Sequence, residues 1–486
     1  MYFRMLYDEK LAQASYLIGC QATGEAIVID PERDVDRYIN LAEKEKLRIT
    51  AITETHIHAD FLSGARELAE RTGAKLYLSD EGDADWKYQW LNKKQGGGSY
   101  HYQLLKHGDS FKIGNIELEV VHTPGHTPEH ICFMVTDHGG GATEPMGIAT
   151  GDFVFVGDVG RPDLLETAAG FSGAKEKSAR VLFDSLQQFK QLPDYLQLWP
   201  GHGAGSACGK ALGAVPQSTV GYEKRFNMAV NEAAEEERFV QTILYGQPEP
   251  PLYFARMKKE NKEGPKILGK LPSPKPVGIE TLKNALRENA ALLDTREFLQ
   301  FAKGHLPGAL HVPLESNFPT VAGSYVGADQ PIYLIVEDTR VKETVIDLIR
   351  VGLDNVAGYA TPADLAEYAA QGGKLETTRY LHINDLKTQP LEKNALILDV
   401  RRADEFDAGH VPDAKNIAHT RLLTRLNELP KDRPIYVHCR TDNRSAYAVG
   451  LLQSRGFNAV MMHGGINAWQ ESGGEVVVES PALVGV

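Results

Sequence analysis

Over residues 1 to about 245, short apolar runs alternate with glycine-rich loops and stretches of helical period. Residues 47–53 (LRITAIT) carry the pattern of a strand, and residues 64–72 place Leu68 and Ala69 on the inward face of an amphipathic helix. Residues 116–121 and 147–150 predict further short strands, each ending in a loop that carries His or Asp. The glycine clusters at 96–99 (GGGS) and 139–141 predict flexible surface loops. Residues 228–243 predict a helix that closes this region. Residues 246–276 break the pattern with several prolines and a basic stretch, KILGKLPSPKP, and read as a linker.

Beyond the linker the pattern repeats with a period of about 105 residues. LLDTREFLQFAKGHLPGALHVPL (292–314) matches LILDVRRADEFDAGHVPDAKNIAH (396–419), and PIYLIV (331–336) matches PIYVHC (434–439). Strand, helix and strand alternate in each copy, which predicts two small α/β domains with largely parallel sheets. The chain thus reads as a first domain at 1–245, a linker at 246–276, and two modules at 277–378 and 379–486; its 486 residues are too many for one ordinary core.

Composition narrows the function. The formal net charge of -13 disfavours nucleic acid and anionic membranes as partners. No run of about 18 apolar residues appears. The opening MYFRMLYDEKLAQ lacks the apolar core of a signal peptide, so a cytoplasmic location is expected. Four cysteines (Cys20, Cys132, Cys208, Cys439) over this length are expected as free thiols in a reducing compartment. Cys20 and Cys132 lie in apolar contexts and are expected to be packed.

The candidate chemistry of the first region starts at Thr55-His56-Ile57-His58-Ala59-Asp60, directly after a predicted strand. His122-Thr-Pro-Gly-His126-Thr, Thr150-Gly151-Asp152 and Pro200-Gly201-His202 come next, each where a strand gives way to a loop. Imidazoles and carboxylates offered from several strand ends are what a borderline or hard metal needs. A lone loop histidine is ordinarily solvated or hydrogen-bonded, but four such loops in this order point to a metal site.

These motifs, in this order, resemble the metallo-β-lactamase superfamily, whose fold is an αββα sandwich. In the two-metal hydrolases of that superfamily the first motif ends in a histidine for the second metal; here that position is Phe61. The loss points toward the persulfide dioxygenase branch, where two histidines and a carboxylate hold a single Fe(II). Carried over by motif, the ligands are His56, His126 and Asp152. His58, Asp60 and His202 are expected behind them, orienting the ligand imidazoles, or, for Asp60 and His202, as the remnant of a poorly held second metal site. Arg161 matches an arginine of that branch and either holds an anionic substrate group or forms a salt bridge. His122 is expected to be structural. Cys208, six residues after His202, is either incidental or a thiol at the mouth of the site that carries persulfide.

In the second repeat Asp399-Val400-Arg401, Gly409-His410-Val411-Pro412 and His438-Cys439 resemble the rhodanese family. Cys439 ends an apolar strand and opens the loop Cys439-Arg440-Thr441-Asp442-Asn443-Arg444, which leads into a helix predicted at 445–454. Backbone N–H groups of such a loop and helix start create the positive potential that favours a thiolate and an anionic persulfide. Arg444 matches the family's loop-closing arginine, and Arg440 adds charge. Asp442 stands where related loops often have glycine, which disfavours thiosulfate as the preferred donor. In the first repeat Val336 aligns with Cys439 and is followed by Glu337 and Asp338, so sulfur transfer is excluded there and a scaffold role remains.

The resemblances imply oxidation of a low-molecular-weight persulfide (of glutathione, coenzyme A or a similar thiol) by O2 at one Fe(II) per chain, giving sulfite. Cys439 would pass sulfane sulfur to or from sulfite, thiosulfate and thiols. Zinc as the isolated metal is also compatible, and copies of the chain are expected to associate. The competing expectation is a thioester hydrolase of the glyoxalase II type with two metals and an accessory sulfurtransferase domain.

Overall fold

The computed structural model describes residues 1–167, 173–210, 212–213, 215–388, 391–392 and 394–478. The chain forms two compact units, one from residues 1–271 with 349–352, the other from residues 272–348 with 353–486.

The first unit is built on two six-stranded sheets. One runs Tyr2–Asp8, Gln13–Cys20, Glu25–Ile29, Arg48–Thr53, Lys75–Ser79 and Tyr102–Leu105, antiparallel at its start and parallel from Glu25–Ile29 onward. The other runs Ser218–Thr219, Gln197–Pro200, Gly147–Gly151, Ile131–Asp137, Ile116–His122 and Ser110–Ile113, with only Gly147–Gly151 and Gln197–Pro200 parallel. Their facing side chains, among them Tyr16, Ile18, Ile27, Phe111, Leu118, Phe133 and Trp199, form the inner core. Helices Asp36–Lys44 and Ala65–Thr72 bury Tyr38 and Leu68 against the outer face of the first sheet, and Ala174–Phe189 buries Leu182 and Leu186 against the second. This is the expected αββα sandwich, and its strand ends carry the His and Asp loops.

Two local expectations change. The helix predicted at 228–243 is broken into Met228–Glu232 and Glu236–Leu244. The segment read as a linker contains the helix Phe254–Glu263, which buries Phe254, Met257 and Asn261 in the first unit. Its prolines and lysines masked this apolar face, and the backbone of Asn261 accepts the indole N–H of Trp90 at 3.1 Å.

The second unit holds both modules, each a five-stranded sheet of parallel strands. The first orders Lys275–Pro276, Val356–Ala360, Ile332–Ile335, Ala291–Asp294 and Leu310–His311. The second orders Arg379–His382, Ala459–His463, Ile435–His438, Leu396–Asp399 and Lys415–Asn416 in the same topology. Residues 479–486, included in the second module on sequence grounds, lie outside the described residues. Among the described residues no helix is long and apolar enough to cross a membrane.

Candidate functional site

The loop after strand Arg48–Thr53 carries His56 and His58, the loop after Ile116–His122 carries His126, the turn closing Gly147–Gly151 carries Asp152, and the turn after Gln197–Pro200 carries His202. Parallel pairing of Gly147–Gly151 with Gln197–Pro200 brings the last two to one sheet edge. A Cβ on Gly201 would stand 2.7 Å from Asp152 Oδ1, so only glycine fits between the carboxylate and the turn.

His56, His126 and Asp152 converge: His126 Nε2 and His56 Nε2 lie 3.6 and 3.9 Å from Asp152 Oδ2, and all three residues are buried. Their hydrogen bonds leave the inward atoms free. Thr55 gives its single hydroxyl proton to Asp30 Oδ2 at 2.9 Å, so its oxygen accepts from His56 Nδ1 at 3.0 Å. The carbonyl of Arg161 accepts from His126 Nδ1 at 3.0 Å. His202 Nδ1 lies 2.7 Å from Asp152 Oδ1 and donates to it. His56 Nε2 and Asp152 Oδ2 are consequently buried with no hydrogen-bond partner among the described residues. Burial, reinforced by the neighbouring imidazoles, pushes His56 well below its ordinary value, and burial lowers His126 as well. Two neutral imidazoles with inward lone pairs and a carboxylate oxygen form a donor set that fits a divalent metal.

His58 sits beside this group. Its Nε2 bonds to Asp30 Oδ1 at 3.1 Å, its ring packs on Phe61 with centroids 4.4 Å apart, and it is not among the three converging ligands. Asp30 also accepts from the backbone N–H of Thr55 at 2.7 Å. It holds this position with a φ of 50°, a left-handed conformation that Asp tolerates better than most residues. Asp60, His202 and Cys208 form a second buried group, with Asp60 Oδ2 2.7 Å from His202 Nε2. Although burial opposes charge on His202, Asp152 and Asp60 together push it well above its ordinary value. Cys208 is therefore inside the site rather than at its mouth, and burial, then Asp60 and Asp152, push its thiol well up.

Arg161 does not face an open site. The guanidinium is 1% exposed, bonds to both Asp163 carboxylate oxygens at 2.8 and 2.6 Å, and donates to the Ala207 carbonyl at 3.2 Å. Of the two roles the sequence left open, the salt bridge is the one formed: Asp163 turns the guanidinium inward, where it braces the Cys208 loop, and the Arg161 carbonyl faces His126. His122 bonds to the Pro128 carbonyl at 2.8 Å, in keeping with a structural role. Cys20 and Cys132 are buried.

Pattern alone missed Asp30, His130 and Asn261. His130 accepts from the Asp152 backbone N–H at 3.1 Å and faces Thr123 Oγ1 at 2.8 Å, fixing the Asp152 turn. Asn261 donates to the carbonyls of His58 and Phe61, both at 2.8 Å, and accepts from Ser63 N at 2.8 Å. The H-x-x-x-H spacing of His126 and His130 was a visible signal; Asp30 and Asn261 left none.

In the second module Cys439 comes directly after strand Ile435–His438, and helix Asn443–Ser454 starts four residues later. The Cys439 and Arg440 carbonyls accept from Ile466 and Asn467 N–H at 2.9 and 3.2 Å. Gly465 permits this: its φ is 55°, and a Cβ would meet the Cys439 carbonyl oxygen at 2.5 Å. Cys439 Sγ lies buried 3.6 Å from Ser445 Oγ. Asp442 accepts from Gly464 N and faces His463 Nδ1, both at 2.8 Å, so its carboxylate is engaged by these two neighbours. Arg444 pairs with both oxygens of Glu405 at 2.5 and 2.9 Å rather than closing the loop through backbone contacts, and Arg440 is exposed. Burial opposes the charge of Glu405, but Arg444 pulls it down to about 2.

Residues 9–202 match the model of the Metallo-beta-lactamase superfamily, and residues 279–360 and 383–472 each match that of the Rhodanese-like domain. A solved metallo-beta-lactamase from Staphylococcus aureus subsp. aureus COL is 44% identical, covering 74% of this chain and 99% of that one with a TM-score of 0.67. The chain belongs to the metallo-beta-lactamase superfamily. It joins that domain to two rhodanese-like domains. It is also similar to the Beta-lactamase hydrolase-like protein of Agrobacterium fabrum, 29% identical over 58% of this chain and 64% of that protein. The Hydroxyacylglutathione hydrolase of Polaromonas sp. is 32% identical over 39% of this chain and 61% of that protein. The chain thus spans just under two thirds of the length of these curated relatives.

Proposed function

We propose that this superfamily member oxidises a low-molecular-weight persulfide with O2 at one Fe(II), and transfers sulfane sulfur through Cys439. The observation that carries the reading is the free ligand set of His56, His126 and Asp152 beside Phe61, an apolar ring where a second metal's histidine would stand. Two imidazoles and one carboxylate leave open positions on iron, which would supply redox chemistry with dioxygen and a seat for an anionic sulfur. The chain's own residues do the positioning. Thr55 and Asp30 set the His56 tautomer, the Arg161 carbonyl sets that of His126, and His202 holds Asp152 Oδ1 so that Oδ2 faces the ligands. Phe61 and Phe155, both fully buried, limit water around them.

The overall change would be R–S–S⁻ with O2 and water giving R–SH, sulfite and a proton. At Cys439 the thiolate would attack the outer sulfur of a persulfide, release R–S⁻ and carry the sulfur as its own persulfide, with the loop's N–H groups facing the anion. Sulfite would then accept that sulfur and leave as thiosulfate. The test is anaerobic purification, metal analysis, and oxygen uptake with glutathione or coenzyme A persulfide. Lack of uptake by an iron-loaded sample would sink the reading.

A second reading, a two-metal thioester hydrolase, is favoured by the Asp60, His202 and Cys208 group and by relatives named Hydroxyacylglutathione hydrolase. Two zinc ions per chain with hydrolysis of S-lactoylglutathione would establish it instead.

A further inference from the structure

The first rhodanese-like module has no nucleophile, yet it packs polar side chains against the second module's cysteine loop. Helix Asn443–Ser454 lies on strand Leu310–His311 so closely that a Cβ on Gly450 would stand 2.7 Å from His311 Cβ. The segment His419–Thr424 packs on helix Phe318–Tyr325 of the first module. Where these elements meet, Tyr325 Oη and His419 Nδ1 are buried with no hydrogen-bond partner among the described residues. Tyr325 and Tyr447 are each 1% exposed, and the His419 and Tyr447 rings stand 5.9 Å apart. Asn317 of the first module and Asn443 of the second lie beside the Tyr447 hydroxyl, and Cys439 and Glu315 are close enough to act on it electrostatically.

Buried polar atoms are rarely left unpaired, so two of them beside Tyr447, the tyrosine on which Cys439 acts, mark a place where something else binds. Their character says what. Arg444 is matched by Glu405 and Asp442 by His463, and burial, then Arg444, hold His419 down to about 3, leaving its ring neutral. The wall therefore offers uncharged donors, the hydroxyl, amide and imidazole N–H groups; exposed Glu315 adds one negative charge. Uncharged donors suit an oxyanion that must arrive, react and leave.

We propose that the cysteine-free module completes the sulfur-transfer pocket. Tyr447 and His419, with Asn317 and Tyr325 supplied by the first module, bind the oxygens of the sulfite that accepts sulfur from Cys439. This rests on the reading of Cys439 as a persulfide carrier. The sulfite lone pair on sulfur attacks the outer sulfur of the Cys439 persulfide, and a new S–S bond forms. The Cys439 S–S bond breaks, its electron pair returns to Cys439 as thiolate, and thiosulfate leaves; no other oxidant or reductant enters.

The test uses the full iron-loaded chain. Cys439 is charged with glutathione persulfide and checked by intact mass for the gain of one sulfur, and transfer is then timed to sulfite and to dithiothreitol, a thiol acceptor without sulfur-bound oxygens. Asn317→Ala, Tyr325→Phe and Tyr447→Phe are each expected to raise the KM for sulfite about fivefold and to lower kcat/KM for sulfite relative to dithiothreitol by a similar factor. An unchanged sulfite-to-thiol ratio in all three variants, with the mass gain retained, overturns the pocket alone. Absence of the mass gain in the unaltered chain overturns the carrier reading, and the pocket with it.

Discussion

In the first rhodanese-like module Arg296 binds Asp294 at 2.6 Å and the Gly304 carbonyl at 2.8 Å; in the second, Arg401 binds Asp399 and the Gly409 carbonyl at the same distances. His305 and His410 hold the Phe301 and Phe406 carbonyls at 2.9 and 3.0 Å, each stacked on that phenylalanine. The frames are one frame. They part at the end of the central strand: Cys439 with its loop stands there in one, Val336 with Glu337 and Asp338 in the other. The Arg444–Glu405 pair goes with the cysteine, since Val341 and Gln300 occupy the matching positions of the first module. The Asp, Arg and His motif is thus shared by both folds, whereas the ion pair and the loop accompany the chemistry.

That division can be broken experimentally. Cys439→Ser is expected to cut sulfur transfer by about 10³-fold or more while oxygen uptake with a small persulfide stays largely intact. Parallel loss of both activities would mean the loop does more than carry sulfur. Arg296→Ala and Arg401→Ala each leave a buried carboxylate unpaired, and each should destabilise its module by about 3 kcal/mol in urea titration. A large cost in one module only would show that the frames are not equivalent.

Acid separates the modules further. Glu405 is pulled from 4.5 to about 2 by Arg444, so its contribution is fully present above about pH 4.5 and is lost as pH falls toward 2. Allowing for partial exposure, about 1–2 kcal/mol is at stake. Hydrogen exchange across that range should loosen residues around 405 and 444, and Glu405→Gln should remove the pH dependence there. Smallest of all is the expected effect of Val336→Cys: transfer by this cysteine should stay below about a hundredth of that by Cys439, measured in a Cys439→Ser background, because acidic residues come after it instead of the basic loop.

Features written locally were legible in the sequence. His56, His126 and Asp152 are marked by short motifs after strands, and the folded chain brings the three together; Cys439 is marked by a strand-to-helix loop and lies between that strand and helix. Features written across long separations were not. Asp30 acts on Thr55 and His58 from another strand, and Glu405 meets Arg444 across 39 residues. Arg161 is an intermediate case: the sequence left it between holding an anion and forming a salt bridge, and Asp163, two residues on, claims it. A side chain's type is visible in one dimension, but which partner it finds depends on how the chain folds back.

The helix Phe254–Glu263 bears on the order in which the protein is made. Its Asn261 is what satisfies the carbonyls of His58 and Phe61, on the loop that starts with His56. A nascent chain that has emerged only as far as residue 245 already contains His56, His126 and Asp152, but lacks the amide that fixes the loop after His56. Ordering of that loop is therefore expected to wait on the ribosome until the proline-bearing stretch has cleared the exit tunnel, so the timing of its closure is written downstream of the site's own residues.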